Sequence, residues 1–121
     1  MKHPEDAIQK AVIGQLKARP ADGLVWFHVP QGNKLGGKRT ASGAPLQAIR
    51  NKDLGVRAGV SDLILLHDGK AFALELKAEK GHLSEAQREF IDEWNNAGGY
   101  ATCAVGIDQA VKVLETWSLI R

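Results

Sequence analysis

The sequence has very little cysteine and no long apolar segment. Its single cysteine, Cys103, cannot form an internal disulfide and has no second thiol with which to bind zinc. It lies in the apolar stretch "YATCAVG", which favours a buried and inert thiol. No apolar run approaches the roughly 18 residues that a membrane span needs, and the opening "MKHPEDAIQKAV" lacks the apolar core of a signal peptide. We therefore expect no membrane association and a reducing, cytoplasmic environment.

The remaining composition is typical of a globular protein. Of the 121 residues, 44% are hydrophobic and 25% are charged, so the chain can bury a core and disorder is not expected. The sequence shows no internal repeat, low-complexity tract or inter-domain linker. We predict one domain spanning residues 1–121.

Positive charge is concentrated in residues 32–59, which we call the basic segment. The formal net charge of the chain is only +2, but this segment carries six basic side chains and one acid, Asp53. It therefore sums to +5, and the rest of the chain to −3. Such a segment on a nearly neutral protein indicates a polyanionic partner, although charge alone leaves open a merely solvated loop. Its basic residues are Lys34, Lys38, Arg39, Arg50, Lys52 and Arg57.

Hydrophobic periodicity and turn signals predict a mixed α/β protein. Ile8, Val12 and Leu16 form one stripe of a predicted helix. The glycine-rich loop "QGNKLGGKRTASGAP" precedes "LQAIRNK", which is compatible with a short helix. A central β-sheet flanked by helices is expected from this order of elements. The predicted elements are helix 4–18, a buried strand at 24–29, strands 62–67 and 71–78, helix 85–97, strand 100–105 and helix 109–118.

An Asp-Gly turn predicts how the two central strands pair. If the Asp-Gly of "HDGK", residues 67–70, forms a two-residue loop, His67 pairs with Lys70. Asp62 then lies directly opposite Glu75, and the two side chains point to the same face. A four-residue turn would keep the shared face but shift the register.

The predicted register separates an ionisable face from an apolar one. Strand alternation places Ala73, Glu75 and Lys77 beside Asp62. Opposed carboxylates repel one another unless a cation intervenes, and hard oxygen ligands suit Mg²⁺ or Mn²⁺. The alternative is a solvent-facing hairpin with an incidental Glu75–Lys77 pair. The opposite face is predicted to be core and carries Leu63, Leu65, Phe72, Leu74 and Leu76.

These residues resemble the signature of a nuclease superfamily. Asp62, a hairpin and then "ELK" resemble the PD-(D/E)XK pattern. The stretches "HVPQGNKLGGKR", "GVRAGVSDLILL" and "LELKAEKGHLSEAQREFIDEWNNAGG", with the opening "PEDAIQ", resemble the VRR-NUC (virus-type replication-repair nuclease) family. The resemblance spans nearly the whole chain and implies a restriction-endonuclease-like core of order αβββαβ. Ser61 departs from the pattern, which usually has Pro before the Asp.

The resemblance implies a set of functional residues. Metal ligation is implied for Asp62, Glu75 and the backbone carbonyl of Leu76, with Mg²⁺ or Mn²⁺ as the cofactor. Lys77 is implied to position or activate the attacking water and to offset charge on the phosphate. Roles in the same site are also implied for Glu5 in the N-terminal helix and for Gln87 in the helix after the motif. The role implied for Glu5 includes metal binding.

Three of the candidate residues also have structural interpretations. Glu5 lies on the buried stripe of its helix, where it could hold metal or complement the helix dipole. Gln87 follows Ser84 by three residues and fits a capping box, which is compatible with a catalytic role. His28 could contact phosphate or could be a satisfied histidine at a strand end.

The sequence therefore predicts a divalent-metal-dependent DNA endonuclease that hydrolyses phosphodiesters. The basic segment would bind backbone phosphates without sequence preference. The resemblance also implies a homodimer that cleaves branched DNA such as four-way junctions, as in DNA repair, in a bacterial or phage-infected cell. The alternatives are a nuclease acting on flaps, DNA ends or RNA, and a non-catalytic nucleic-acid-binding module with the same fold.

Overall fold

The computed structural model describes residues 4–30 and 53–121. The predicted loop 31–45 and the segment 46–52 lie outside these ranges. No helix within them is long and apolar enough to cross a membrane. The elements are α1 Pro4–Ala18, β1 Val25–His28, β2 Leu63–His67, β3 Lys70–Lys77, α2 Glu85–Asn96, β4 Tyr100–Val105 and α3 Gly106–Thr116.

Most of the predicted elements are confirmed to within one or two residues, but α3 begins three residues before the predicted position 109. Its start carries no side-chain N-cap, so the usual sequence signal is missing. Gly106, with a φ of +84°, instead turns the chain directly from β4 into the helix. The Gln109 side chain reaches back and accepts a hydrogen bond from the Val105 N–H at 2.6 Å.

The strands within the described residues form a mixed sheet in the order β1-β2-β3-β4. β1–β2 and β2–β3 are antiparallel, whereas β3 and β4 are parallel. The predicted hairpin register is confirmed, because His67 pairs with Lys70 and Leu63 pairs with Leu74. Both loop residues, Asp68 and Gly69, have positive φ angles of +54° and +77°, as a tight hairpin turn requires.

The predicted apolar face of the hairpin is buried against α1 and α3. Ile8, Val12 and Leu16 form the buried stripe of α1, and Leu114 of α3 is fully buried. Val111, Val113 and Trp117 pack against the same core, so the apolar positions of the last helix serve the interior. The core residues of the hairpin are Leu63, Leu65, Phe72, Leu74 and Leu76, none more than 3% exposed.

The prediction that residues 24–29 form a buried strand is wrong. β1 is an edge strand, and Val25 and Phe27 are 60% and 53% exposed. Trp26, which points to the other face, packs against the core. A continuous apolar run does not show which of its two faces is covered, because that depends on where the other elements lie.

Candidate active site

Asp62 and Glu75 lie together at the open end of the β2–β3 hairpin. Asp62 immediately precedes β2, and both side chains are buried, with only 7% and 2% of their surface exposed. Burial, together with the charge of Asp62 and a hydrogen bond between the two carboxyl groups, raises the pKa of Glu75 to about 8. Without a cation, Glu75 is therefore mostly protonated at neutral pH. The predicted opposition of the two carboxylates is confirmed.

Asp62 is held by contacts from the strands on either side. Its Oδ2 accepts a hydrogen bond from the backbone N–H of Leu76 in β3 at 2.7 Å. Its backbone carbonyl accepts a hydrogen bond from the Val29 N–H at 2.8 Å and lies 3.0 Å from Nδ1 of His28. Because a carbonyl only accepts, this ring nitrogen is the donor. In this structure His28 therefore contacts the backbone that carries Asp62.

Lys77 follows Glu75 on the same face of β3. Its Nζ lies 3.8 Å from Glu75 Oε2, and only 12% of its side chain is exposed. The ammonium group lowers the pKa of Glu75, but burial and Asp62 have the larger, opposing effect. A single lysine therefore does not outweigh burial and the charge of Asp62, and the pKa of Glu75 stays raised.

Gln87 reaches the site from α2, where it both caps the helix and contacts Glu75. Its backbone N–H donates to Ser84 Oγ at 3.1 Å, and its Oε1 accepts from the Ser84 N–H at 2.9 Å, which completes a capping box. Its Nε2 donates to Glu75 Oε2 at 3.2 Å. Because the amide oxygen is used by the cap, the amide nitrogen is the group that faces Glu75.

Glu5, in the first turn of α1, approaches the same site from another direction. It is half-buried, and its charge makes a small contribution to the raised pKa of Glu75. The chain after β3 passes close by at Gly81, where a Cβ atom would lie 3.2 Å from Glu5 Oε2 and 3.3 Å from Lys77 Cδ. The absence of a side chain at Gly81 thus leaves space for the side chains of Glu5 and Lys77 beside this part of the chain.

The donor groups fit a hard divalent cation. Glu75 Oε1 is buried and has no hydrogen-bond partner among the described residues, and an unpaired buried carboxylate oxygen is costly. Within residues 4–30 and 53–121, no three His, Cys, Asp or Glu side chains are arranged to hold a metal ion. Asp62 and Glu75 would therefore need the Leu76 carbonyl and water to complete a coordination shell, which is usual for Mg²⁺.

Arg57 was predicted to contact nucleic acid, but in the structure it is paired with α2. Its Nη1 and Nη2 donate to the two carboxylate oxygens of Glu93 at 3.3 and 3.0 Å. Its guanidinium carbon lies 5.3 Å from the centre of the Phe90 ring. The other predicted contacts in the basic segment lie outside the described residues: Lys34, Lys38, Arg39, Arg50 and Lys52.

Sequence reasoning missed Arg57's partner and also the close approach of Gly59 to α2. Gly59 has a φ of +83°, and a Cβ atom there would lie 2.4 Å from the backbone carbonyl of Ala86. An isolated glycine before a strand gives no sign of such a contact. Glu93 lies 36 residues from Arg57, beyond the reach of any local pattern.

Comparison with known proteins bears on the family and the fold of the chain. The sequence profile of the VRR-NUC domain matches residues 4–107. A solved structure titled "VRR_NUC domain protein" is 24% identical, with a TM-score of 0.72 over 97% of this chain and 89% of that one. A second, titled "VRR_NUC domain", is 16% identical, with a TM-score of 0.60 over 93% of this chain and 96% of that one. These two likenesses concern the fold, which is compatible with a restriction-endonuclease-like architecture. No curated protein matches the sequence significantly. The profile match over most of the chain shows that it belongs to the VRR-NUC domain family, a family of nucleases.

Proposed function

We propose that the protein is a divalent-metal-dependent DNA endonuclease that hydrolyses phosphodiester bonds at the site formed by Asp62, Glu75 and Lys77. The observation that carries this proposal is the pair of buried, opposed carboxylates, with one oxygen of Glu75 left without a partner among the described residues. A protein that only bound nucleic acid would gain nothing from such a pair, because it destabilises the fold.

The two carboxylates would hold Mg²⁺ or Mn²⁺ with the backbone carbonyl of Leu76. When bound, the cation would polarise the scissile phosphate and lower the pKa of a water molecule. Asp62 is already fixed for this role by the Leu76 N–H. Lys77, next to Glu75, would stabilise the negative charge that develops on the phosphate and would position the attacking water.

Gln87 and Glu5 would complete the site. The amide of Gln87 donates to Glu75 Oε2 and would keep that carboxylate in one rotamer. Glu5 would contribute a further negative charge near the cation through a bridging water molecule. The effect of its charge on the pKa of Glu75 supports this assignment.

The basic segment would supply affinity for the DNA backbone. Five cations between residues 34 and 52 would contact phosphates and so give binding that depends on salt but not on sequence. His28 would contribute through Asp62, whose carbonyl it contacts, more than through a phosphate. The cations are Lys34, Lys38, Arg39, Arg50 and Lys52.

We further propose that the protein acts as a homodimer on branched DNA, with four-way junctions as the favoured substrate and DNA repair as the setting. One chain of 121 residues offers a single candidate site and one basic segment, a small footprint for a junction. A twofold dimer would present two sites to a substrate that itself has twofold character. The reducing cytoplasm of a bacterial or phage-infected cell fits a protein with one cysteine.

Cleavage assays on defined DNAs test this proposal. Linear, flap, bubble and four-way DNA, and a single-stranded RNA, would be incubated with the protein and Mg²⁺, Mn²⁺ or EDTA, with Glu75→Gln as the control. We expect cleavage of the four-way DNA that needs the metal and is lost in the control. Preferential cleavage of flaps, ends or RNA would support a different nuclease. Binding without cleavage under every condition would support a non-catalytic module.

Light scattering tests the proposed assembly separately. A dimeric mass at micromolar concentration is expected for the free protein. A monomeric mass, together with equal cleavage of junction and linear duplex, would rule out the dimeric junction nuclease.

A further inference from the structure

The chain that leads into Asp62 contacts helix α2 at two places. Arg57 binds Glu93 through two hydrogen bonds and lies over the Phe90 ring, beyond the first turn of the helix. Two residues later, Gly59 lies against the first turn. Such a two-point contact restricts both the rotation and the translation of α2 relative to Asp62.

The Gly59 contact is made between backbones. A Cβ atom at this position would lie 2.4 Å from the carbonyl carbon and oxygen of Ala86 and 2.7 Å from the backbone nitrogen of Gln87. The φ of +83° also favours glycine. The turn of α2 that Gly59 contacts is therefore the turn that carries Gln87.

The position of this turn sets the contact between Gln87 and Glu75. The capping box with Ser84 fixes the orientation of the Gln87 amide within the helix. The distance from the amide to Glu75 then depends on where the helix lies over the sheet. At 3.2 Å the Gln87–Glu75 hydrogen bond is already long. A small displacement of α2 would break it.

We propose that Arg57, Glu93 and Gly59 position helix α2 so that Gln87 donates its hydrogen bond to Glu75, and that Arg57 is a positioning residue and not a phosphate contact. This inference deepens the proposed nuclease function and rests on it for its effect on catalysis. The geometry of the Arg57–Glu93 pair supports a positioning role. Both terminal nitrogens of the guanidinium group already donate to a carboxylate of the same chain.

Exchanging the charges of Arg57 and Glu93 distinguishes a positioning role of Arg57 from a contact with a DNA phosphate. Arg57→Glu or Glu93→Arg alone should lower kcat by up to about fivefold, the effect expected for an exposed ion pair, with KM unchanged. The double variant Arg57→Glu/Glu93→Arg restores the pair and should restore kcat. If Arg57 contacts phosphate, Arg57→Glu will instead raise KM, and the second substitution will not rescue it.

Two control variants match these changes in charge. Asp92→Arg introduces the same charge on the neighbouring, exposed residue of α2, and Lys70→Glu does so at the distant hairpin turn. Neither should change kcat. In a Gln87→Ala background, Arg57→Glu should have no further effect on kcat, because the contact through which it acts is already lost. Independent effects in this cycle would overturn the proposal.

A spectroscopic readout tests the positioning without any activity. The side-chain amide resonances of Gln87 in the metal-free protein should shift in Arg57→Glu and return in the exchanged double variant. If the wild type cleaves nothing, this result still stands, so failure of the proposed function is distinguishable from failure of the positioning role. Unchanged Gln87 resonances in Arg57→Glu would refute the inference. Gly59→Ala should shift the Gln87 resonances further than Arg57→Glu does. If Gly59→Ala does not fold, the Arg57→Glu/Glu93→Arg variant still tests the positioning role.

Discussion

The two faces of strand β3 are equally buried but have opposite chemistry. Leu74 and Leu76 are 0% and 1% exposed on one face, and Glu75 is 2% exposed on the other. The leucines stabilise the fold by burial, whereas burial and the neighbouring Asp62 raise the pKa of Glu75 to about 8 and so oppose its charged form. α1 and α3 therefore cover a core, whereas α2 covers the candidate site, whose buried carboxyl groups oppose the stability of the fold.

The largest expected effect separates the two faces by activity. Glu75→Gln or Asp62→Asn should abolish metal-dependent cleavage, a loss of at least about a thousandfold, because the groups that would hold the cation are removed. DNA binding should survive, as measured by fluorescence anisotropy. Cleavage by Glu75→Gln at the wild-type rate would show that this face is not the active site.

A substitution on the apolar face of β3 should lower the stability of the protein. Leu74→Ala creates a cavity under α1 and α3 and should lower the free energy of unfolding by about 2–5 kcal/mol in urea denaturation. Glu75→Gln, its neighbour in the strand, should leave stability unchanged or increase it in the metal-free protein. A loss of stability in Glu75→Gln as large as in Leu74→Ala would mean that both faces serve the fold.

The pH dependence of stability should come from the ionisable face. Glu75 in the folded, metal-free protein keeps its proton up to about pH 8, whereas its ordinary pKa is 4.5. The unfolded chain therefore releases the proton first, and the free energy of unfolding should fall as the pH rises from about 4.5 to 8. Thermal melts of the wild type and Glu75→Gln across this range isolate the contribution. Parallel curves for the two proteins would contradict it.

The smallest effect concerns a second buried oxygen. Ser61 Oγ, like Glu75 Oε1, is buried without a hydrogen-bond partner among the described residues. No role in the site is assigned to it, so Ser61→Ala should retain cleavage and raise the free energy of unfolding by about 1 kcal/mol. Loss of cleavage in this variant would show that the hydroxyl belongs to the site.

Local signals predicted the hairpin and its carboxylates. The Asp-Gly turn lies only a few residues from Asp62 and Glu75 and fixes the register of the hairpin. Their opposition could therefore be derived from the sequence alone. The capping box of Gln87 is equally local. The same reasoning assigned the two faces of β3 correctly, because strand alternation depends only on the chain itself.

Features that depend on distant parts of the chain were not predictable. The exposure of Val25 and Phe27 follows from the position of β1 at the sheet edge. The pairing of Arg57 with Glu93 joins two residues that lie 36 positions apart in the sequence. The contact of Gly59 with α2 likewise exists only once the helix has packed on the sheet.

Calorimetric titration with Mn²⁺ tests most directly whether the buried carboxylates hold a divalent cation. At pH 7, the wild type should bind Mn²⁺ and release protons, because Glu75 must ionise to become a ligand. Repeating the titration in buffers of different ionisation enthalpy measures that release. We expect binding to be lost or greatly weakened in Glu75→Gln and Asp62→Asn. Binding of Mn²⁺ with equal affinity by the wild type and Glu75→Gln, or no binding by the wild type, would contradict the account.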